Sequence, residues 1–149
     1  MATLKQINEF LDSQPIALVG ASRNPKKFGY SAFKELKEKG MKIIPVNPLA
    51  DEILGEKSYP NLKMLPAEVQ SIIVFTKKDK TASVIREAKE RGIKHIWIQQ
   101  MADNKEALDE LKDSGINYIT GQCILMHYKP HSIHKFHGSL KKFFGSFPK

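Results

Sequence analysis

Ile16-Ala17-Leu18-Val19-Gly20-Ala21-Ser22-Arg23-Asn24-Pro25-Lys26-Lys27-Phe28-Gly29 is the stretch that decides the fold. Its first four residues are apolar without alternation, the pattern of a short strand covered on both faces. Gly20 stops that run. From Tyr30 a new period begins: over 30–39, Ala32, Phe33 and Leu36 fall on one side with lysines and glutamates on the other, and Gly40 follows as a helix stop. A buried strand joined by small residues to an amphipathic helix is the opening unit of a parallel α/β fold.

Working outward, the same unit repeats. Upstream, Leu4, Ile7, Phe10 and Leu11 have helical spacing, and Pro15 ends that leading helix. Downstream, 41–46 reads as a second strand closed by Asn47-Pro48, and 71–75 as a third. Between them, 49–66 is a longer irregular link with room for a helical turn. Then come a helix over 80–91 stopped by Gly92, a strand over 94–98, a helix over 104–114 stopped by Gly115, and a strand over 116–119. Strands separated by helices cannot pair as hairpins, and right-handed crossovers lay them parallel. The expected fold is a single doubly wound, mainly parallel, five-stranded Rossmann-like sheet with helices on both faces, in the order 3-2-1-4-5. The expected domain covers residues 1–149, with 129–149 as a basic helical tail. In that tail Ile133, Phe136, Leu140 and Phe144 form the apolar stripe of a helix over 132–144.

Composition supports one core and narrows the function classes. The 149 residues are 41% hydrophobic and 27% charged, as in a folded globular chain. No run approaches the roughly 20 apolar residues that span a bilayer, and residues 1–12 lack the apolar block of a signal peptide, so a cytoplasmic protein is expected. Cys123 is the only cysteine, which excludes an intramolecular disulfide. A formal charge of +8 favours an anionic partner. The lysines are scattered over nearly every predicted helix instead of lying on one face with aromatics, so nucleic acid is not the expected anion.

In such sheets the ligand lies beyond the carboxyl ends of the strands, at the switch point between strands one and three, here at the end of the Ile16 strand. The loop there is 20–29. Gly20, Ala21 and Ser22 let a phosphate approach backbone N–H groups, and the following helix adds a partial positive charge at its N-terminus. Arg23, Lys26 and Lys27 add full charges beside Phe28 and Gly29, so a polyphosphate fits. Tyr30 can touch such a ligand or cap the core. A nicotinamide enzyme requires G-x-G-x-x-G and an acid ending the second strand. Here Ser22 and Pro25 replace the later glycines and Asn47 stands in the acidic position. A small NAD(P)-dependent oxidoreductase or other nucleotide-binding enzyme is therefore the alternative reading. The cations suit a ligand with one more phosphate, as coenzyme A has at its 3′ position.

At these residues the sequence resembles the bacterial CoA-binding proteins related to the N-terminal domain of the succinyl-CoA synthetase α subunit. The resemblance runs through Leu18-Val19-Gly20-Ala21-Ser22, Lys27-Phe28-Gly29, Ile44-Pro45-Val46-Asn47-Pro48 and Ile53-Leu54-Gly55. It continues through Glu87-Ala88, Gly92 and Ile96-Trp97-Ile98-Gln99 to Cys123. It implies a Rossmann-like domain holding coenzyme A or an acyl-CoA, with the 20–23 loop at the pyrophosphate. It places the Pro45 to Pro48 segment, with Asn47 and Pro48 as binding residues, near the adenosine, and Phe75 to Lys77, with Thr76 and Lys77 as binding residues, close to the third strand's edge. The family often has a glycine soon after the tryptophan strand, where this chain has Gln100-Met101, and an arginine before the cysteine, where it has Gln122. Both departures fall on the pantetheine side of the implied site. The synthetase places its phosphorylated histidine on a second domain, so the resemblance implies binding without that acyl-transfer machinery.

Other candidates are weighed against plainer roles. Cys123 follows the fifth strand at the ligand end, where a mixed disulfide with the coenzyme's thiol is conceivable; a packed hydrophobe is the commoner role. His127, His131, His134 and His137 cluster, but imidazoles on successive turns fan apart and no Cys or carboxylate completes a zinc tetrahedron, so no metal is expected. Trp97 is expected in the core instead of against adenine, and His95 is ambiguous. No Ser/His/Asp, Cys/His or paired-carboxylate constellation is visible, so no catalytic residue is nominated. A homodimer stays open.

Overall fold

The computed structural model describes residues 2–128. Five parallel strands form the sheet: β1 (Ile16–Val19), β2 (Ile43–Val46), β5 (Ser71–Val74), β6 (His95–Gln99) and β7 (Asn117–Gln122). Between β2 and β5 lie a two-stranded antiparallel hairpin, β3 (Glu52–Ile53) and β4 (Glu56–Lys57), and one 3-10 turn at Leu62–Met64. The helices are α1 (Leu4–Leu11), α2 (Phe28–Glu38), α3 (Lys78–Arg91) and α4 (Lys105–Leu111). The leading helix matches its expected span, and α2 and α3 begin two residues earlier than their apolar periods do. The link over 49–66 contains the hairpin in addition to the expected turn. The expected helix over 132–144, with His131, His134 and His137, lies outside the described residues.

Every residue of β1 and of β5 is buried, which is why neither alternates in sequence. Adjacent residues still serve opposite faces. Ile16 and Leu18 join Ile7 and Phe10 of α1 and Phe33 and Leu36 of α2 in one core. Ala17 and Val19 join Ala82, Ile85 and Ala88 of α3 and Ala107 and Leu111 of α4 in the other. Helices therefore cover both faces, as a doubly wound sheet requires.

The strand order corrects the expectation. It is β2-β1-β5-β6-β7, that is 2-1-3-4-5 among the five principal strands, not 3-2-1-4-5. Pro45 is the physical reason. Tyr59 N–H donates to the Pro45 carbonyl and Asn47 N–H to the Tyr59 carbonyl, so residues 45 and 47 turn their backbone groups away from β1. Proline has no N–H to offer a neighbour on that side, which fits β2 to an edge and not to the interior place the other order would give it. The chain must therefore return past β1, and β1 and β5 pair in register, Ile16 with Ser71 through Val19 with Val74.

Trp97 is a core residue, as expected. It is fully buried, meets Phe10 edge-on with ring centroids 5.4 Å apart, and donates its indole N–H to the Gln122 carbonyl at 3.0 Å. Gln100 N–H also donates to that carbonyl, so removing the indole leaves no orphaned acceptor. Trp97→Phe should accordingly cost only about 1–2 kcal/mol, from lost packing and one hydrogen bond. A urea midpoint lowered at unchanged slope is the expected readout.

Candidate functional site

The winding reverses between β1 and β5, and their carboxyl ends open into a cleft of about 590 Å³. Two glycines shape its floor. Gly20 ends β1 with φ +99°, and a Cβ there would lie 2.9 Å from the Phe75 carbonyl. A Cβ on Gly29 would lie 2.2 Å from the Gly20 carbonyl oxygen. The first turn of α2 is thus pressed onto the β1 loop, and the loop onto β5. Gly20 N–H donates to the Val46 carbonyl and Phe75 N–H to the Val19 carbonyl, tying all three strand ends together.

The rest of the loop holds itself. Ser22 Oγ accepts from Asn24 N–H, Asn24 Oδ1 accepts from Lys26 N–H, and the Asn24 carbonyl accepts from Lys27 N–H. Accepting leaves Ser22 with its own O–H still to donate. Asn47 bridges to this loop: its Nδ2 donates to the Ala21 carbonyl at 2.8 Å, and its Oδ1 accepts from Leu49 N–H at 2.7 Å. Its amide is a clamp between the β1 and β2 loops.

Among the four α-helices, capping separates those at the cleft from the other two. Thr3 caps α1, Asn104 caps α4 and Asn61 caps the 3-10 turn with side-chain oxygens. The helices that open at the cleft, α2 and α3, have Lys27 and Lys77 at the N-cap and no side-chain cap hydrogen bond. The N–H groups of their first two residues lack an intrahelical partner, and these positive helix ends lie beside two lysines that line the cleft.

Ten of the expected binding residues line the cleft: Gly20, Ala21 and Ser22; Lys27, Phe28 and Gly29; Asn47 and Pro48; Thr76 and Lys77. Arg23 and Lys26 are exposed on the loop and Tyr30 is half-buried in α2; none of the three lines the cleft. Sequence reasoning missed Leu49, Pro60, Asn61, Val84 and Glu87 as lining residues. Glu87 accepts a hydrogen bond from Leu62 N–H, which fixes the 3-10 turn against α3. Phe28 stands 53% exposed with its ring 5.3 Å from that of Phe75, and Leu49 is 80% exposed, so the cleft has apolar lips.

The remaining candidates lie elsewhere. His95 opens β6 at the opposite, amino end of the sheet, where burial lowers its pKa and its Nδ1 is 3.1 Å from Asn117 Nδ2. Cys123 is half-buried and receives a hydrogen bond from Gln99 Nε2 at 3.0 Å, but does not line the cleft. His127 Nε2 is 3.1 Å from Gln122 Oε1, and its ring packs near Trp97. Among the described residues no group of three or more His, Cys, Asp or Glu could hold a metal ion, and no helix is long and apolar enough to cross a membrane.

Comparison with known proteins joins this geometry to a family. The model of the CoA binding domain matches residues 14–129, from the turn before β1 to the residue after Tyr128. This chain belongs to the CoA-binding domain family. The domain is 32% identical over 129 residues to the α subunit of acetate–CoA ligase [ADP-forming] II of Pyrococcus furiosus, covering 79% of this chain. It spans only 28% of that subunit's length. It is 35% identical over 120 residues to the uncharacterized protein YneT of Bacillus subtilis, covering 80% of this chain and 89% of that protein. Among solved structures, a conserved hypothetical protein of Pyrococcus furiosus is 41% identical with a TM-score of 0.71, covering 74% of this chain and 95% of that one. The dinucleotide-forming acetyl-coenzyme A synthetase 1 of Ca. Korarchaeum cryptofilum, in complex with phosphate and ADP, is 29% identical with a TM-score of 0.61. That match covers 68% of this chain and 24% of the synthetase. The CoA-binding domain thus occurs both as part of long ligases and as most of a small protein.

Proposed function

We propose that this chain binds coenzyme A or an acyl-CoA in the cleft between the β1, β2 and β5 ends. One observation carries the reading: two helix N-termini without side-chain caps, each with lysine at the N-cap, converge with a glycine pair on a single cleft. Open N–H groups and ammonium groups together favour a ligand with more than one anionic group. The diphosphate belongs against Gly20, Ser22 and the first turn of α2, where backbone can be approached most closely. Pro48, Leu49 and Phe28 offer apolar surface for the uncharged parts of the ligand. Family membership supports the same ligand. The reading is one of binding, and no residue of the cleft is assigned to a chemical step.

Thermal shift against coenzyme A, dephospho-coenzyme A, NAD and NADP tests it. Coenzyme A at 100 times its Kd should stabilise the fold by about 2.7 kcal/mol, since it binds only the native state. A larger stabilisation by NAD or NADP, or none by coenzyme A, overturns the proposal. Lys27→Ala and Lys77→Ala should each weaken coenzyme A about fivefold, a loss of about 1 kcal/mol for a solvent-screened charge. Calorimetric titration should also show affinity falling as salt rises.

A further inference from the structure

We infer that Thr76 is a specificity-determining residue that takes an uncharged N–H or O–H donor of the ligand and turns away its anionic oxygens. The inference rests on the coenzyme A reading of the cleft and follows from counting protons. Thr81, fully buried on α3, has one hydroxyl proton and an acceptor at 2.6 Å, the Ala102 carbonyl. The Lys77 carbonyl is farther away at 3.3 Å and already accepts from Lys80 N–H at 2.9 Å. Thr81 therefore donates to Ala102. The Thr76 and Thr81 hydroxyl oxygens are 2.9 Å apart, so one proton must lie between them. With that of Thr81 committed, it is the Thr76 proton.

A hydroxyl has one proton and two lone pairs. Thr76 spends its proton inward, toward the α3–α4 side of the molecule, while the residue itself lines the cleft. What its oxygen still offers a ligand is a lone pair. A phosphate oxygen there would set acceptor against acceptor; an amide, amino or hydroxyl group would complete a relay running from the ligand through Thr76 and Thr81 to Ala102. The cleft is thereby sorted: anionic oxygens go to Lys27, Lys77 and the open helix N–H groups, and a neutral donor goes to Thr76. Coenzyme A has such donors in both halves, the adenine amino group and ribose hydroxyl on one side and the pantetheine amides and hydroxyl on the other.

Calorimetric titration of wild type, Thr76→Val and Thr76→Ser with coenzyme A, adenosine 3′,5′-bisphosphate and 4′-phosphopantetheine tests the inference. Valine keeps the shape and removes the oxygen. It should weaken coenzyme A about tenfold, while serine stays within about twofold of wild type. The fragment that shares the loss identifies the half of the ligand that carries the donor. Unchanged affinity of Thr76→Val for all three ligands, or an equal loss in Thr76→Ser, overturns the inference while leaving the coenzyme A reading intact. A wild-type protein that binds none of the three overturns both. Thr81 keeps its bond to Ala102 in every variant, so the apo thermal midpoint should hold in Thr76→Ser and fall by only a few degrees in Thr76→Val, which loses the one bond to Thr81.

Discussion

Gly29→Ala should lower stability by about 3 kcal/mol and weaken coenzyme A binding well beyond tenfold. The added Cβ lies 2.2 Å from the Gly20 carbonyl oxygen, 3.3 Å from its carbonyl carbon and 3.5 Å from Ser22 N. All three are backbone atoms, so no side chain can swing aside. Gly20 has little room to retreat, because even a Cβ built on it would lie 2.9 Å from the Phe75 carbonyl, and its N–H is bonded to the Val46 carbonyl. Alanine's better helix propensity returns about 1 kcal/mol at most, against an overpacking cost of several. The first turn of α2 must lift from the loop, and its N–H groups leave the position from which they reach a phosphate. Gly40→Ala is the control: nothing lies within 4 Å of a Cβ there and only its φ of +93° is strained, so stability should fall modestly and affinity should hold. A Gly29→Ala protein with wild-type urea midpoint and affinity would mean that α2 does not bear on the loop.

The second large effect is expected from Asn47→Asp, which should weaken coenzyme A about 10- to 100-fold at neutral pH and regain much of it on acidification. The Asn47 amide gives a proton to the Ala21 carbonyl and takes one from Leu49 N–H. A carboxylate can do the second but not the first, and it sets an oxygen against the Ala21 carbonyl at a cost of about 1.5–3 kcal/mol. Protonated, the same side chain has an O–H to donate and the clamp closes again. The sign follows from linkage: the native state favours the protonated form, so the added stability is present at low pH and lost as pH rises through the carboxylate range. The charged groups lining the cleft are Lys27, Lys77 and Glu87, shared by both proteins, so the variant-to-wild-type affinity ratio at each pH isolates residue 47. Asn47→Ala should lose affinity without recovering it in acid. A pH-independent ratio for Asn47→Asp would show that the amide has no clamping role.

The loop over 20–29 was legible because its signals are local. A four-residue apolar run, a glycine, three cations and an amphipathic period need no knowledge of what lies across the sheet. Glycine marked the end of α3 for the same reason, with Gly92 in the left-handed conformation, but not that of α4, which ends at Leu111 with Lys112 extended, three residues short of the expected stop before Gly115. Pro45 was equally visible and would have placed β2 at an edge, had its missing N–H been set against an interior position. The winding direction was harder to read, since β1 and β5 are both fully buried and β2 nearly so, and apolar content alone does not rank strands by neighbour.

Arg23 and Lys26 illustrate the opposite limit. Their charge is plain in the sequence, yet the turn made by Ser22 and Asn24 leaves them exposed on the loop and outside the cleft lining, while Lys27, one residue later, stands at the N-cap. Glu87 and Val84 come from the second turn of α3 or later, and Pro60 and Asn61 from the link after β4. No motif joins such positions, and only the reversal of winding beside β1 brings them together.

The sequence alone was enough to establish a parallel α/β sheet covered on both faces and the glycine-containing loop between its first strand and second helix, because these depend on periodicity and on residues adjacent in the chain. Tertiary structure alone decided which strands are neighbours, which lysines line the cleft, that the Asn47 amide ties two loops, and that the Thr76 and Thr81 hydroxyls meet. Those are matters of distance between residues dozens of positions apart, and a hydrogen bond or an overlapping Cβ is settled by a few tenths of an ångström that no local pattern encodes.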